Sequence, residues 1–324
     1  MPFSSDDDDF KTKRYVDGLV TFIENSSAPI TIALQGEWGS GKTSLMNRLV
    51  RALCSEDGPF IGIEINTWEY SMLSSPEMTV FRIMERLIHS LAGSNEKTKK
   101  VWDKYAKKFV NFAYRGVVGG IKGIGPVTSG IMEAVKAPSK LVSEDVEEVK
   151  DVKVTLSDLK QSLEDAVAQS LVNGNKRGVI VFVDDLDRLN PPVAVEILEL
   201  LKNIFCIKDC IFVLAIDYEV VVKGLEPKFG KLTDKNEREF RSFFDKIIQV
   251  PFSLPVNSYQ PKEFVLGSLL NIEYIDEKEK DDARLTAPIQ EIVEYSVGKN
   301  PRSIKRLINT LSLLSCIARC GGGR

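Results

Sequence analysis

One eight-residue segment constrains this chain more than any other part of it: residues 36–43 read GEWGSGKT. The segment fits the pattern G-x-x-x-x-G-K-[ST], in which glycines let the backbone approach a bound phosphate closely. Residues 30–34 before it are apolar and largely β-branched, which predicts a buried strand. Residues 44–53 after it carry apolar side chains about three and four positions apart, which predicts a helix. Strand, glycine loop and helix together are the setting that this pattern requires.

The segment therefore predicts a nucleotide-binding loop. Its N–H groups and the N-terminus of the following helix favour an anion. Lys42 is predicted to reach the β- and γ-phosphates of ATP, and the Thr43 hydroxyl is predicted to bind Mg²⁺. The candidate nucleotide-binding residues are the loop and the residue after it: Gly36, Glu37, Trp38, Gly39, Ser40, Gly41, Lys42, Thr43 and Ser44. The alternative is an ordinary glycine turn before a helix.

A second segment, residues 178–188, reads GVIVFVDDLDR. The apolar run predicts a buried strand whose end carries carboxylates to the edge of a sheet. Asp184 is predicted to bind Mg²⁺ directly or through water, and Asp185 is predicted to orient and deprotonate the attacking water. Arg188 has two interpretations: it forms an ion pair with Asp187, or it contacts the phosphate of the same or a neighbouring subunit.

Two further predicted strands end at polar residues. The apolar run Cys210–Ile216 is followed by Asp217, which is predicted to sense the γ-phosphate or to cap the next helix, and the two roles are compatible. Residues 60–66 predict another strand, and Glu69 after it is a further candidate for positioning water or a partner. These positions are candidates because ligands collect at the carboxyl edge of an α/β sheet.

Composition narrows the class of protein. The length of 324 residues allows one large domain or a core domain with a smaller one. The net charge of -3 gives no general attraction to nucleic acid, so such binding would need a local patch. Residues 1–10 lack the pattern of a secretory signal, and an odd number of cysteines suits a reducing cytosol better than a disulfide framework. These features predict a cytoplasmic protein.

Residues 93–177 are predicted to form an insertion, helical or mobile, between the two nucleotide motifs. Its stretch Val110–Val135 is rich in glycine and mildly apolar. A membrane span needs about 20 mainly apolar residues, and this stretch is interrupted by Arg115, Lys122, Pro126 and Glu133. A loop or a hairpin of small-residue helices is therefore favoured, and a reversible contact with a membrane or a protein partner is the alternative.

The rest of the chain is predicted to divide into core and lid. Residues 1–92 and 178–255 would supply the two halves of the core, with a last strand over residues 246–252. Residues 256–324 are predicted to form a helical lid in which Pro288 and Pro301 open helices. Residues 298–306, GKNPRSIKR, place cations at a helix start, where the helix dipole disfavours them. A contact with phosphate or with acidic residues is predicted for these cations.

Three motifs carry a resemblance to a known family: GEWGSGKTS at residues 36–44, NTWEY at residues 66–70 and DDLDR at residues 184–188. KIIQVPF at residues 246–252 and NPR at residues 300–302 extend the match over nearly the whole chain. With these motifs the chain resembles the KAP P-loop NTPases, which are related to the STAND and AAA+ ATPases.

The resemblance implies an α/β fold: a P-loop NTPase core with a parallel sheet between helices, a C-terminal helical lid, and nucleotide held between them. It also implies a sensor position for Arg302. Many relatives carry membrane helices between the two nucleotide motifs. Bacterial members are linked to phage exclusion and defence, and animal relatives act as signalling scaffolds.

These observations together predict an ATP-hydrolysing switch whose nucleotide state controls homo-oligomer assembly or contacts with a protein partner or effector. The predicted catalytic residues are Lys42, Asp185, Asp217, Arg302 and Arg188, with ATP as substrate and Mg²⁺ bound at Thr43 and Asp184. The alternative is a scaffold that holds nucleotide without hydrolysing it and docks a partner or membrane through its insertion. A GTPase is disfavoured because the chain has no Asn-Lys-x-Asp motif.

Overall fold

The computed structural model describes residues 10–71, 82–83, 85–87, 89–91, 150–202, 206–280 and 282–320. The chain forms two compact units. The loop–lid unit consists of Met1–Ser26, Leu34–Ala52 and Phe252–Arg324, and the sheet unit consists of Ser27–Ala33 and Leu53–Pro251. Residues 93–149 of the predicted insertion, which include the glycine-rich stretch, lie outside the described residues.

Helices and strands alternate through most of the described chain. Their order is α1 (Lys13–Asn25), β1 (Ile30–Gln35), α2 (Lys42–Leu53), β2 (Phe60–Asn66), α3 (Thr67–Ser71), α4 (Lys150–Gly174), β3 (Gly178–Asp184), α5 (Pro191–Leu201), β4 (Cys210–Ile216), α6 (Tyr218–Phe229), α7 (Glu237–Asp245), β5 (Val250–Ser253), α8 (Lys262–Asn271), α9 (Glu277–Lys280), α10 (Ala283–Val297) and α11 (Pro301–Cys320). Short 3₁₀ turns follow β3 at Leu186–Arg188 and β5 at Val256–Ser258.

Five parallel strands form one sheet in the order β2-β3-β4-β1-β5. Strands β2 and β3 pair from Phe60 opposite Gly178 to Asn66 opposite Asp184, and β3 pairs with β4 in the same direction. Because parallel strands align their carboxyl ends, Asn66 and Asp184 lie side by side at one edge. The predicted α/β fold with a parallel sheet is confirmed.

The central strands are buried along their whole length, which explains why their sequences are continuous apolar runs. Val179–Val183 of β3 and Cys210–Ile216 of β4 have almost no exposed surface. Helices cover both faces of a parallel sheet, so side chains that point either way enter the core. Phe182 and Phe212 are among the largest side chains buried there.

The C-terminal helices form a second apolar core in the loop–lid unit. Phe10, just before α1, belongs to this core, and its ring centroid lies 5.4 Å from that of Phe264. The buried residues of this core are Phe10, Tyr259, Phe264, Val265, Leu266, Leu269, Ile275, Val293, Ile304 and Ile308. The prediction of a helical C-terminal region is confirmed.

One helix start in this region differs from the prediction. Helix α10 begins at Ala283, so Pro288 lies inside the helix and not in its first turn. The Asp282 side chain accepts a hydrogen bond of 2.8 Å from the Arg284 N–H and caps the helix at this earlier position. Helix α11 begins at Pro301 as predicted.

The last strand is also shorter than predicted. Strand β5 begins at Val250, whereas the apolar sequence suggested a start at Lys246. The N–H groups of Ile247 and Ile248 bond to the Phe244 carbonyl at 2.9 and 2.8 Å, so these residues complete the turn after α7. Their side chains are nevertheless buried, which is why the sequence reads as one run.

The cysteines of this chain form no disulfide bond. The five cysteines are free thiols. Within the described residues no group of three or more His, Cys, Asp or Glu side chains is arranged to hold a metal ion. None of the helices among these residues is long and apolar enough to cross a membrane.

Helices α5 and α6 approach closely at Gly224. A Cβ atom built on Gly224 would lie 2.2 Å from the Pro191 carbonyl oxygen and 2.7 Å from Cγ2 of Val195. Both distances are below van der Waals contact, and the nearest atom belongs to the backbone, which cannot move aside alone. The close approach therefore depends on a glycine at this position.

We expect Gly224→Ala to destabilise the sheet unit by about 1–3 kcal/mol, the usual cost of overpacking. The measurement is thermal unfolding followed by circular dichroism. Gly18→Ala is the matched control, because Gly18 lies in α1 with nothing within 4 Å of its built Cβ. The control should be neutral or stabilise by about 0.5–1 kcal/mol. Equal melting temperatures of the two variants would contradict the packing argument.

Candidate nucleotide-binding site

The predicted phosphate loop connects β1 to α2 in a conformation that needs glycine. The φ angles of Gly39 and Gly41 are 85° and 103°, in the region that L side chains rarely adopt. A Cβ atom on Gly36 would lie 2.6 Å from the Ser40 hydroxyl. The glycines of the pattern are therefore required by the shape of the loop itself.

Two side chains of the loop, those of Ser40 and Lys42, turn inward. Lys42 is 6% exposed, and its ammonium donates to the carbonyl oxygens of Gly36 and Glu37 at 2.8 and 3.2 Å. The buried Ser40 hydroxyl has no hydrogen-bond partner among the described residues. An inward lysine and an orphaned hydroxyl are groups that phosphate oxygens can satisfy, so the loop fits a nucleotide. Thr43 and Ser44 follow at the exposed start of α2.

The N-terminus of α11 holds the outer side of this loop. The Asn300 side-chain amide donates to the Trp38 carbonyl at 3.1 Å, and the Arg302 N–H lies 3.3 Å from the Gly39 carbonyl. Asn300 also accepts from the Arg302 N–H at 3.1 Å, as a helix cap does. A Cβ atom on Gly39 would lie 2.7 Å from Cβ of Arg302. Loop and lid are therefore in direct contact within one unit.

Arg302 and Trp38 form the second part of this contact. The guanidinium carbon lies 4.0 Å from the centroid of the Trp38 ring, which is a cation–π distance. Trp38 remains 61% exposed. In addition, the Tyr259 hydroxyl donates to the Ser40 carbonyl at 3.3 Å. Among the described residues, the lid groups that bond to the loop backbone all use carbonyl oxygens, so the lid occupies none of the loop N–H groups. Within the loop, the Ser40 N–H bonds to the Glu37 carbonyl at 3.2 Å.

The acidic strand end lies in the sheet unit. Asp184 closes β3, and one of its carboxylate oxygens accepts the Asp185 N–H at 2.8 Å. Its second oxygen is not needed for that bond and can bind a metal ion. The Thr67 hydroxyl donates to the Asp184 carbonyl at 2.9 Å. Carboxylate oxygens are ligands that Mg²⁺ prefers, so the Asp184 side chain fits the ion.

Asp185 is the more constrained of the two carboxylates. Its backbone is left-handed, with φ 61° and ψ 22°, and its side chain is buried. Burial raises the pKa of the Asp185 carboxyl, and the neighbouring charge of Asp184 raises it further. Arg188 and a hydrogen bond with Asn66 act in the opposite direction on this pKa. A buried, oriented carboxylate with a raised pKa is a suitable general base.

Arg188 closes the turn after β3 onto Asp185. Its Nε lies 2.8 Å from Oδ1 of Asp185, so an ion pair forms with this residue. Pairing with Asp187 was one of the two interpretations from sequence, and the other, a contact with phosphate, stays a prediction. The guanidinium carbon lies 5.0 Å from the centroid of the Trp68 ring. The backbone N–H of Trp68 donates to Oδ1 of Asn66 at 3.0 Å, and this bond positions Trp68. Arg188 is thus held between a carboxylate and an aromatic ring.

The residues at the end of β2 and directly after it are the part of the site that the sequence did not predict. The sequence favoured Glu69, whereas Asn66, Thr67 and Trp68 are the residues that contact the acidic strand end or its arginine. The sequence did contain a signal for these residues. If the two predicted strands pair in parallel, residues 66 and 184 lie side by side, as they do in the structure.

Asp217 acts as a helix cap. Its carboxylate accepts the Glu219 N–H at 3.0 Å at the start of α6. This confirms the capping alternative, and a second role for Asp217 as a phosphate sensor stays a prediction.

The chain is similar both to an individual protein and to a protein family. The Phage T7 exclusion protein of Escherichia coli (strain K12) is 26% identical to this chain over 304 residues. The match covers 87% of this chain and 38% of that protein, so the chain spans well under half the length of this relative. The model of the KAP family P-loop domain matches residues 12–318. Because this match extends over nearly all of the chain, the chain belongs to the KAP family of P-loop domains.

Proposed function

We propose that this protein is an ATP-binding and ATP-hydrolysing switch whose nucleotide state controls self-assembly or partner contacts. One observation carries the proposal: the lid residues Asn300 and Arg302 bond directly to the carbonyls of Trp38 and Gly39 in the phosphate loop. A change in the loop when phosphate binds would therefore reach α11 directly through these two hydrogen bonds. A rigid loop without such contacts would have no direct way to report its occupant.

Lys42, Thr43 and the loop N–H groups have distinct tasks in this proposal. Lys42 exchanges the carbonyls of Gly36 and Glu37 for the β- and γ-phosphates. The loop N–H groups bind the phosphates, and we assign Mg²⁺ to Thr43 and Asp184. When bound, Mg²⁺ supplies positive charge that neutralises the phosphate oxygens.

Asp185 orients the attacking water and accepts its proton. Arg188 and Asn66 hold the carboxylate in place, and this support comes from the same chain. Asp217 and Arg302 report the γ-phosphate, Asp217 in addition to its capping role.

The energies favour movement of Arg302 towards phosphate. A cation–π contact at an exposed site is worth about 0.5–1 kcal/mol. A hydrogen bond to a charged group is worth about 1.5–3 kcal/mol. Arg302 would therefore leave the Trp38 ring for a γ-phosphate within reach, and α11 would follow because Arg302 lies in its first turn.

The relative named as a phage T7 exclusion protein supports a role in defence against bacteriophage. Since this chain matches 38% of that protein, the partner or effector in such a role is a separate question. The proposal places the switch in this chain and leaves the output to its assembly or its partner.

A second candidate function is a scaffold that binds ATP and does not hydrolyse it. It is favoured by the ion pair between Arg188 and Asp185 at 2.8 Å, because a carboxylate engaged in this way is less free to accept a proton. Steady-state turnover with excess ATP and Mg²⁺ separates the two functions. Stoichiometric ATP binding with no turnover would establish the scaffold.

We expect Lys42→Ala to weaken ATP binding about 10- to 100-fold, the scale of a lost charge-assisted hydrogen bond, and to abolish turnover. The measurements are ATP binding by calorimetry and phosphate release. Lys223→Ala is the control, since Lys223 is an exposed lysine of α6. Wild-type turnover in the Lys42 variant would remove the loop from the catalytic site.

Asp184→Asn and Asp185→Asn should fail in different ways. The Asp185 variant is expected to bind ATP and Mg²⁺ normally and to hydrolyse ATP at least about 100-fold more slowly, because it lacks the general base. The Asp184 variant is expected to need more Mg²⁺ for half-maximal turnover. Magnesium titrations of phosphate release test both. If the two variants lost Mg²⁺ affinity equally, the assigned division of roles would be wrong.

The role of Arg188 can be tested by mixing two inactive variants. Arg188→Ala keeps the phosphate loop, and Lys42→Ala keeps Arg188. Because Arg188 contacts Asp185 of its own chain at 2.8 Å, we expect the mixture to show only the summed activity of its components. An arginine that acts across a subunit boundary would restore turnover in mixed assemblies.

Two controls support this test. Arg188→Lys should retain part of the activity because it keeps the charge near Asp185. Arg241→Ala removes another arginine of an ion pair, with Glu237, and should leave turnover unchanged. Mass photometry with and without an ATP analogue would show whether mixed assemblies are present. Recovery of turnover on mixing would refute the role within one chain while leaving ATP hydrolysis intact.

A further inference from the structure

Trp68 contacts both of the groups that hold the Asp185 carboxylate. The guanidinium carbon of Arg188 lies 5.0 Å from the centroid of the Trp68 ring, and Arg188 Nε lies 2.8 Å from Oδ1 of Asp185. On the other side, the Trp68 N–H donates to Oδ1 of Asn66 at 3.0 Å. The Asn66 side chain in turn forms a hydrogen bond with the Asp185 carboxylate. These contacts form a closed circuit at the carboxyl edge of the sheet.

The backbone of Trp68 is fixed to the strand that carries the two aspartates. Trp68 is the second residue of α3, and the first, Thr67, has no exposed surface. The Thr67 hydroxyl donates to the Asp184 carbonyl at 2.9 Å. Strands β2 and β3 pair in register as far as Asn66 opposite Asp184. The indole therefore projects from a backbone that is anchored beside the acidic strand end.

The ion pair between Arg188 and Asp185 needs such a support. The Arg188 side chain is 33% exposed, whereas that of Asp185 is 10% exposed. A partly exposed ion pair competes with water and with the rotamer freedom of a long side chain, so many such pairs contribute nothing measurable to stability. Of the aromatic rings, that of tryptophan attracts a guanidinium most strongly. The ring thus restricts Arg188 to positions from which it meets the carboxylate.

The hydrogen bond from Trp68 to Asn66 decides which way the Asn66 amide faces. An asparagine side chain has an oxygen that accepts hydrogen bonds and an NH₂ group that donates them. Because the oxygen accepts from the Trp68 N–H, the NH₂ group is left for the Asp185 carboxylate, which only accepts when it is ionised. Trp68 therefore supports Asp185 twice, through its ring and through its backbone.

We propose that Trp68 is a positioning residue: it keeps Arg188 and Asn66 against the carboxylate that takes the proton from the attacking water. The role rests on the proposed ATP hydrolysis and deepens it, because Trp68 acts on that reaction only through Asp185 and its two partners. A substitution of the indole removes the ring contact and leaves the backbone N–H in place. The carboxylate then keeps Asn66 and loses the support of a fixed Arg188, so the loss of turnover is partial.

The first test is the NMR signal of the Arg188 Nε–H in the chain without nucleotide. An Nε–H that lies against a carboxylate is protected from exchange with water. We expect Trp68→Leu to speed this exchange about two- to fivefold, the factor for loss of an exposed cation–π contact. Arg188→Lys assigns the signal, because it removes it. Arg241, which is exposed and forms an ion pair with Glu237, is the internal reference and should exchange equally in all variants.

The second test is steady-state ATP turnover of the same variants. We expect Trp68→Leu to lower kcat about two- to fivefold and to leave the KM for ATP unchanged, because the indole supports the general base and not the nucleotide. Trp68→Phe keeps an aromatic face and should restore most of both readouts. Tyr295→Leu is the matched control: it removes an exposed ring of α10 and should change neither readout.

Three outcomes would overturn the role. An unchanged Arg188 signal in Trp68→Leu, with only a lower melting temperature, would mean that the indole merely packs. A higher KM for ATP with an unchanged Arg188 signal would mean that the indole serves the nucleotide. Faster Arg188 exchange with wild-type kcat would mean that the support has no part in the reaction.

Two provisions keep the test decisive. If Trp68→Leu failed to fold, a ring-fluorinated tryptophan at this position would replace it, because fluorine weakens the attraction of the ring for a cation with little change of shape. The exchange measurement does not require turnover. If no variant hydrolysed ATP and Trp68→Leu still released the Arg188 Nε–H, the proposed hydrolysis would be refuted and the positioning of the carboxylate by Trp68 would stand.

Discussion

The hydrogen bonds from the lid to the carbonyls of the phosphate loop are the interaction on which the loop–lid unit depends. Asn300 bonds to Trp38 across a sequence separation of 262 residues and also caps α11. Each such bond contributes about 1 kcal/mol net, so a few of them can set the loop shape and still yield to a nucleotide. Because the bonds use carbonyl oxygens only, lid contact and phosphate binding do not compete for the same atoms.

The acidic strand end is organised by a different principle. Asp185 is left-handed and buried, and it is paired with Arg188, which is in turn seated on Trp68. All of these contacts lie within the sheet unit. Preorganised polar groups are the main source of catalytic power in phosphoryl transfer, since no reorganisation is needed during the reaction. The cluster also explains why an aromatic residue follows β2 in this chain.

Local patterns predicted the parts of the fold and site that depend on neighbouring residues. The strand, the glycine loop and the helix around Lys42 are such parts, and so is the buried strand ending at Asp184. The role of Trp68 required the register between two strands, and the pairing of Arg188 required the unusual backbone of Asp185. The start of α10 was misplaced because the Asp282 cap prevailed over the proline signal. The contact of Arg302 with Trp38 joins distant segments and has no local signature.

Two structural constraints require glycine at position 39. Its positive φ suits the phosphate loop, and the space where its Cβ would be is taken by Arg302 and by the Asn300 side chain. A larger residue at this position would have to displace the lid helix as well as strain the loop. The loop and the start of α11 therefore cannot vary independently: a substitution in one is tolerated only with a compensating change in the other. In engineering terms the two segments form a single cassette, to be transplanted or redesigned together.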